Sequence, residues 1–541
     1  MNGRINDCVW EITDDGMLVI SPAEGRTEGY LCFDEGMWRW PWTGEKFKQI
    51  RINGHITAGE DISYMFLECT ALEDISGLEN LDVSGVTAMS GLFRGCTALE
   101  DISALRDWNT SRLEDAAYPF FGCTALKDIS VLDRWDMTNV SCLAAMFGGC
   151  TALSDISALA GWNTQNVTSM MSLFSGCTAL EDVSALKNWD VRKTMSMYNL
   201  FSGCVALADI SPLKDWKTFS VVNMSGMFAG CTALKDISAL AGWNTDRAAD
   251  MSNTFIGCTA LEDISALKSW NTSCVGSMIQ MFMNCTALKD ISVLENWQTA
   301  GVINMCGMFC GCTTLKSVSP LEKWDTSSVA NITQMFRGCT AIEDVSVLKN
   351  WHTSGIRNMS QTFRGCTALR NISGLENWDI KRVEKMDLMF TDCHSLESYE
   401  NLLKKWQSAS RQYVGLGLST KVVSEERVFI NSDSPMACPR EGEFIGWKKC
   451  RGEKIVKLLI PADARRSSAL DKKCRCDKAV VLDITDRKGT RKETAVSGHD
   501  SRFIYRTGET VSVPDFDEDR FTECAPGIHF FMDKEDAENY Y

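Results

Sequence analysis

Thirteen cysteines stand 27 residues apart without a slip, from Cys69, Cys96 and Cys123 to Cys393. A fixed period of this length means stacked supersecondary units, each too small to bury its apolar side alone and each completing a core against its neighbours. The flanking residues keep the same register. A phenylalanine lies three residues before every one of these cysteines, from Phe66 to Phe390, and a leucine or isoleucine three residues after, as at Leu99, Leu126 and Ile342. Tryptophan recurs eleven times at the same interval, from Trp108 to Trp378. The chain must therefore build a solenoid, and thirteen coils at the roughly 4.8 Å spacing of stacked strands give a length of about 60 Å.

Within one coil, Cys96-Thr97-Ala98-Leu99-Glu100-Asp101-Ile102-Ser103 reads as a turn followed by a short strand, with Leu99 and Ile102 inward and Asp101 and Ser103 outward. Trp108-Asn109-Thr110-Ser111 is turn-like. A methionine-rich segment such as Met224-Ser225-Gly226-Met227-Phe228 reads as a single helical or 3₁₀ turn on the opposite side. The expected class is an α/β repeat solenoid, leucine-rich-repeat-like, with strand-rich coils and short helical turns.

These residues resemble the BspA-like leucine-rich repeats of bacterial proteins, in the variant that carries a tryptophan, Asn/Asp-Thr-Ser-x-Val, Met-x-x-Met-Phe and Gly-Cys-Thr-Ala-Leu. The segment from Val329 through Met335-Phe336 and Gly338-Cys339-Thr340-Ala341 follows that pattern closely, and the resemblance runs from about residue 61 to residue 400. It implies adhesion or protein binding, often at a bacterial surface. It also implies that Trp10 to Ile20, with Pro41-Trp42, forms a hairpin cap over the first coil. The expected divisions are an amino-terminal β cap at 1–60, the solenoid at 61–406, a cap and connector at 407–445, and a small β-rich α+β domain at 446–541.

Composition narrows the functional classes. Of the 541 residues 45% are hydrophobic and 23% charged, as in a soluble folded protein. No apolar run reaches the roughly 18 residues of a membrane span, and Met1 to Cys8 has no signal-like run, so the sequence as given reads as cytoplasmic. The family resemblance supplies the alternative of a cell-surface or secreted protein. A formal charge of −16 opposes nucleic acid for the molecule as a whole, since phosphates would be repelled. From residue 446 onward there are 19 lysines and arginines against 18 acids, so the acidity belongs to the preceding part and nucleic acid stays open only at the carboxyl-terminal domain.

Three groups of residues are candidate sites. Asp101, Asp128, Asp155, Asp182, Asp209, Asp236, Asp263 and Asp290 repeat at the outward position, with Asp74 before them. Such a column either accepts turn or serine hydrogen bonds and keeps an open sheet soluble, or forms a negative strip that steers in a basic protein partner. Arg465, Arg466, Lys472, Lys473 and Arg475, with Ser467 and Ser468, form the one dense basic cluster, fit for phosphate or for a solvated loop. Cys450, Cys474, Cys476 and Cys524 with His529 contain zinc-ligand types, although Cys474-Arg475-Cys476 lacks the usual spacer; Cys306, Cys310 and Cys312 are a lesser candidate of the same kind. Cys524 and His529 also admit a nucleophile and base, but no orienting third residue is evident. The repeating cysteines, phenylalanines and tryptophans read as core.

The carboxyl-terminal stretch shows strand-like runs at Glu453 to Ile460 and Ala479 to Ile484, a hairpin turn at Asp486 to Gly489, and a final helix capped by Asp533. It resembles an uncharacterised domain found at the ends of bacterial and phage repeat proteins, recognisable in Gly446-Trp447-Lys448-Lys449-Cys450, Ile460-Pro461-Ala462-Asp463-Ala464 and Gly527-Ile528-His529-Phe530-Phe531; the resemblance implies no activity. No Gly-rich phosphate loop, HExxH or nucleophile elbow occurs there. The sequence thus points to a non-catalytic scaffold that binds a protein and needs no cofactor. The alternatives are an enzymatic or nucleic-acid-binding effector in the carboxyl-terminal domain, or a surface adhesin.

Overall fold

A computed structural model describes residues 1–33, 39–396, 399–411, 438–439, 441–468, 473–498, 500, 503–516 and 526–540. They fall into two compact units, one within Met1–Phe429 and one within Ile430–Tyr541.

The first unit begins with an antiparallel meander of β1 (Asn2–Ile5), β2 (Cys8–Ile12) and β3 (Met17–Pro22). Pairing then changes sense. β5 (Gln49–Ile52) lies parallel to β3, while β4 (Glu28–Leu31), β6 (His55–Ala58) and β7 (Leu81–Asp82) form a second, parallel sheet. The cap therefore presents parallel edges from which the coils propagate. Trp40 and Trp42, fully buried, fix it to the first coil by donating their indole N–H groups to the carbonyls of Ser63 and Met65, both at 2.9 Å.

Each coil has three corners. At the first, single parallel bridges join some of the coils, Asp101 to Asp128, Asp209 to Asp236 and Asp344 to Asn371. A 3₁₀ turn follows at once, Ser103–Leu105 in this coil and five residues long in the next ones. This differs from the sequence expectation, which placed a strand here and the helical turn in the methionine segment. The reason is local: the Asp101 carboxylate accepts the Ser103 N–H at 2.7 Å, and that donor is lost to the inter-coil ladder. Leu99 and Ile102 are buried and Asp101 and Ser103 exposed, so the inward and outward assignment holds.

The methionine segment is a train of tight turns. In Met224 to Cys231, alternate N–H groups (Met224, Gly226, Phe228, Gly230) donate to the next coil at 2.6–3.0 Å, while Met227, Ala229 and Cys231 donate three residues back. The alternation needs left-handed backbone at every fourth residue, met here by Gly226 (φ +66°) and Gly230 (φ +70°), where a side chain would be strained. One parallel bridge per coil runs along this face, from Asp61 and Ala88 to Lys385.

Inside, the columns stack. Consecutive phenylalanines from Phe66 to Phe390 lie nearly parallel with ring centroids 5.3–5.9 Å apart. Each tryptophan donates its indole N–H to a leucine carbonyl of the preceding coil, as Trp162 does to Leu132 at 2.8 Å. Each column thiol from Cys96 onward donates to the preceding coil's phenylalanine carbonyl at 3.0–3.2 Å. One continuous core results, from Ile5 to Trp406. The helix α1 (Glu400–Arg411) ends it, contributing Leu402, Leu403 and Trp406.

The second unit holds a seven-stranded antiparallel sheet. Its members are β8 (Phe444–Cys450), β9 (Lys454–Ile460), β10 (Arg466–Ser468), β11 (Lys473–Cys476), β12 (Lys478–Thr485), β15 (Thr510–Ser512) and β16 (Ile528–Phe531). They run in the order β10-β11-β16-β8-β9-β12-β15. β13 (Thr494–Val496) and β14 (Ile504–Arg506) pair separately. The turn after β12 closes through Asp486, whose carboxylate accepts the Thr490 N–H at 2.9 Å, pairs with Lys492 at 3.1 Å and accepts the Lys488 N–H at 2.9 Å, holding its pKa down to about 2. Asp533 caps the short helix α2 (Lys534–Glu538) by accepting the Glu535 N–H at 2.9 Å.

Candidate functional site

The aspartate column lies along the first corner of the solenoid. Asp101, Asp128, Asp155, Asp182, Asp209, Asp236, Asp263 and Asp290 each accept, at 2.7–2.8 Å, the backbone N–H of the serine two residues on. In five of these coils the serine hydroxyl also donates to the second carboxylate oxygen at 2.9–3.1 Å. At Asp128 the Ser130 N–H, then its hydroxyl, hold the carboxyl below the usual aspartate range.

The same turn recurs at the other two corners. Asn109, Asp136, Asn244, Asn271 and Asp325 accept from the residue two ahead at the second, and Asp61, Asp115, Asn223, Asp250, Asn304, Asn331 and Asn358 do so at the third. Asparagine serves the turn as well as aspartate, as its equal standing at helix caps indicates. At these two corners the chain indeed mixes the two and adds Lys217, Gln298 and His352 at the second and Ala88, Cys142, Ser169, Ser196, Ser277 and Lys385 at the third. The first corner is different: from Asp74 to Asn371, ten of twelve positions are aspartate, Ser317 and Asn371 being the exceptions.

The position just before this aspartate carries five glutamates and five lysines or arginines over the same twelve coils, so it adds no net charge. Several of these residues pair between coils, Lys48 with Glu73 at 3.4 Å, Lys127 with Glu100 at 3.9 Å and Lys289 with Glu262 at 3.3 Å. The aspartate column is left as a line of negative charge at one per coil. Its members are solvent-exposed from Asp101 onward, Asp74 being half-buried.

The basic cluster of the second unit is engaged piece by piece. Arg465 pairs with Asp477 at 3.1 Å. Arg466 donates to the carbonyls of Gly442, Pro461, Ala462 and Ala464 at 2.6–3.0 Å and lies over the Phe444 ring. Arg475 is buried, and Lys473 donates to the Tyr540 hydroxyl at 2.8 Å. Lys472 lies outside the described residues. Cys450, Cys474 and Cys476 belong to the apolar core of this unit, and burial pushes the Cys450 thiol up to about 11. His529, on β16, is opposite Arg475 in register; Cys524 lies outside the described residues. Among the described residues no three of His, Cys, Asp and Glu come together as a metal site, Cys306, Cys310 and Cys312 included. No helix among them is long and apolar enough to cross a membrane.

Comparison with known proteins gives two family matches. Residues 434–537 match a family of unknown function, DUF5758. Residues 60–180, 154–265, 249–347 and 342–415 match in succession the family described as Mycoplasma protein of unknown function, DUF285. No curated protein matches. Among solved structures, a leucine rich cell surface protein from Faecalibacterium prausnitzii A2-165 is 17% identical, with 69% of this chain and 94% of that one covered and a TM-score of 0.32. The DUF285 matches run through all thirteen coils and take in well over half of the chain, which belongs to the DUF285 family of repeat proteins.

Proposed function

We propose that the solenoid is a non-catalytic binding scaffold whose aspartate column docks a basic segment of a partner protein, with the carboxyl-terminal unit as an accessory module. One observation carries this reading: ten of twelve first-corner positions are aspartate although the turn they make is served equally by asparagine elsewhere in the same coils. Charge beyond what the turn requires, with no net compensation from the neighbouring column, creates a negative strip that accelerates encounter with a cationic partner and weakens with salt.

The test separates charge from fold. Asp155→Asn, Asp182→Asn and Asp209→Asn together keep every turn acceptor and remove three charges. Against a lysine- and arginine-rich peptide as probe, the full chain is expected to lose at least tenfold in affinity, with a shallower salt dependence and an unchanged melting temperature. Undiminished binding at low salt would leave the column a solubility device.

A further inference from the structure

The sheet of the second unit is partly open between two of its central strands. β8 and β9 pair along their full length, whereas β16 meets β8 through one residue pair, Phe531 opposite Trp447. Into this opening reaches Lys448, whose Nζ donates to the His529 carbonyl at 3.2 Å. Lys448 is only 7% exposed, and no carboxylate among the described residues pairs with it; its other close contact is the face of the Tyr505 ring, 5.9 Å away. Burial, and then the positive charge of Lys473, hold its pKa below the ordinary lysine range.

Two adjoining cavities of about 400 and 380 Å³ share Lys448, Lys473, His529 and Tyr540 as walls. The smaller also contains Asp500 and Asp515. The larger gathers Lys448, Lys449, Arg451 and Lys473 and, among the described residues, one carboxylate, Glu453, which pairs with Lys449 at 3.2 Å. Lys473 is held in place by the Tyr540 hydroxyl at 2.8 Å and the Tyr540 ring at 4.8 Å. Burying an ammonium group without a counter-ion is expensive, and satisfying one backbone carbonyl does not require it, since a strand N–H does so without moving a charge out of water. Buried cations of this kind in a cavity mark functional sites. An anion entering the cavity supplies the missing counter-charge. Two ammonium groups, Lys448 and Lys473, on the walls of one cavity suit a phosphate group, which carries about −1.5 to −2 near neutral pH.

We propose that the larger cavity of the carboxyl-terminal unit binds a small phosphorylated organic ligand, its phosphate held between Lys448 and Lys473 with Arg451 at the rim and its body against Tyr540 and Phe531. This site is independent of the aspartate column and gives the unit a ligand of its own. It does not use the run from Arg465 to Arg475 as a patch; of that run only Lys473 takes part.

Calorimetric titration of the full chain with phenyl phosphate tests the site, with benzoate as the carboxylate analogue. Saturable binding of phenyl phosphate is expected, at least tenfold tighter than benzoate and reduced at least tenfold by Lys448→Met and by Lys473→Met. Lys448→Met is also expected to melt no lower than the parent chain without ligand, because an apolar side chain of similar length replaces a buried charge. The proposal is overturned by an absence of saturable binding, by benzoate binding as well as phenyl phosphate, or by both variants keeping the parent affinity. Should Lys448→Met unfold the unit, Lys473→Met, at a half-buried position, decides alone.

Discussion

Each column thiol occupies a position where ionisation is closed off. Burial pushes Cys150, Cys204 and Cys258 up to about 12, and the S–H of each is committed to a carbonyl of the coil before. Only a thiolate attacks a disulfide reagent. Among the described cysteines Cys274 is exposed, and Cys32, Cys142 and Cys306 are half-buried. With Ellman's reagent at pH 8, Cys274 is expected to react within minutes and the thirteen column thiols only on unfolding; rapid native-state release from several column positions would break the core assignment. Lys448 makes the opposite case, a group whose charged form the fold resists. Its neighbours are Lys473, Cys450, Cys476 and Tyr505, with His529, Asp500 and Asp515 around the cavities. Because its folded pKa lies below the unfolded value, the unfolded chain binds more protons in the window between them. The stability penalty is therefore full below the folded pKa and is relieved as pH rises through it toward the ordinary lysine value of about 10.4. Unfolding of the second unit followed from pH 7 to pH 10 should show this alkaline gain, and Lys448→Met should abolish it.

At the scale of the element, the coil is a cycle of three side-chain-capped corners rather than a strand and a helix in alternation. The columns of cysteine, phenylalanine and tryptophan were legible from spacing alone, because a stacked core repeats its contacts once per coil and so imposes one residue type at each register. The inward leucine and isoleucine are the apolar residues of their stretch, recurring in every coil. The 3₁₀ turn was misplaced although Leu99 and Ile102, both buried, stand three apart, which is the spacing of a turn and not of a strand; what turns the chain is a bond from the Asp101 carboxylate to a backbone N–H, which periodicity does not register. The basic cluster misled for a related reason. Residues close in sequence across β10 and β11 lie near one another, yet Arg465 and Arg466 turn to Asp477 and to backbone carbonyls, and Arg475 goes inside. Lys448 entered only as part of the Gly446-Trp447-Lys448-Lys449-Cys450 motif, and nothing in that run marks one of its two lysines as buried. Its contacts are the His529 carbonyl on β16, some 80 residues later, and the Tyr505 ring.

At the scale of the whole molecule, stability is distributed in two different ways. In the solenoid each coil contacts its neighbours, yet the Phe and Trp stacks and the Cys-to-carbonyl bonds join Ile5 to Trp406 in one core, so loss at one coil is felt along the array. Its ends are covered, by Trp40 and Trp42 of the cap and by Leu402, Leu403 and Trp406 of α1, which is the requirement for a stack whose every cross-section is apolar. The carboxyl-terminal sheet has its own core, from Cys438 to Phe530, and should unfold as a separate unit. Phe228 stacks between Phe201 and Phe255 at 5.8 and 5.9 Å, and its truncation to alanine is expected to cost about 3–5 kcal/mol, as large core truncations do. Scanning calorimetry of the full chain should then resolve two transitions. Phe228→Ala should lower only the larger, since the lost stacking belongs to the solenoid, and Lys448→Met should shift only the smaller. A single transition moved by both substitutions would mean that the two cores melt as one, and the carboxyl-terminal unit would have to be treated as part of the solenoid's cooperative array.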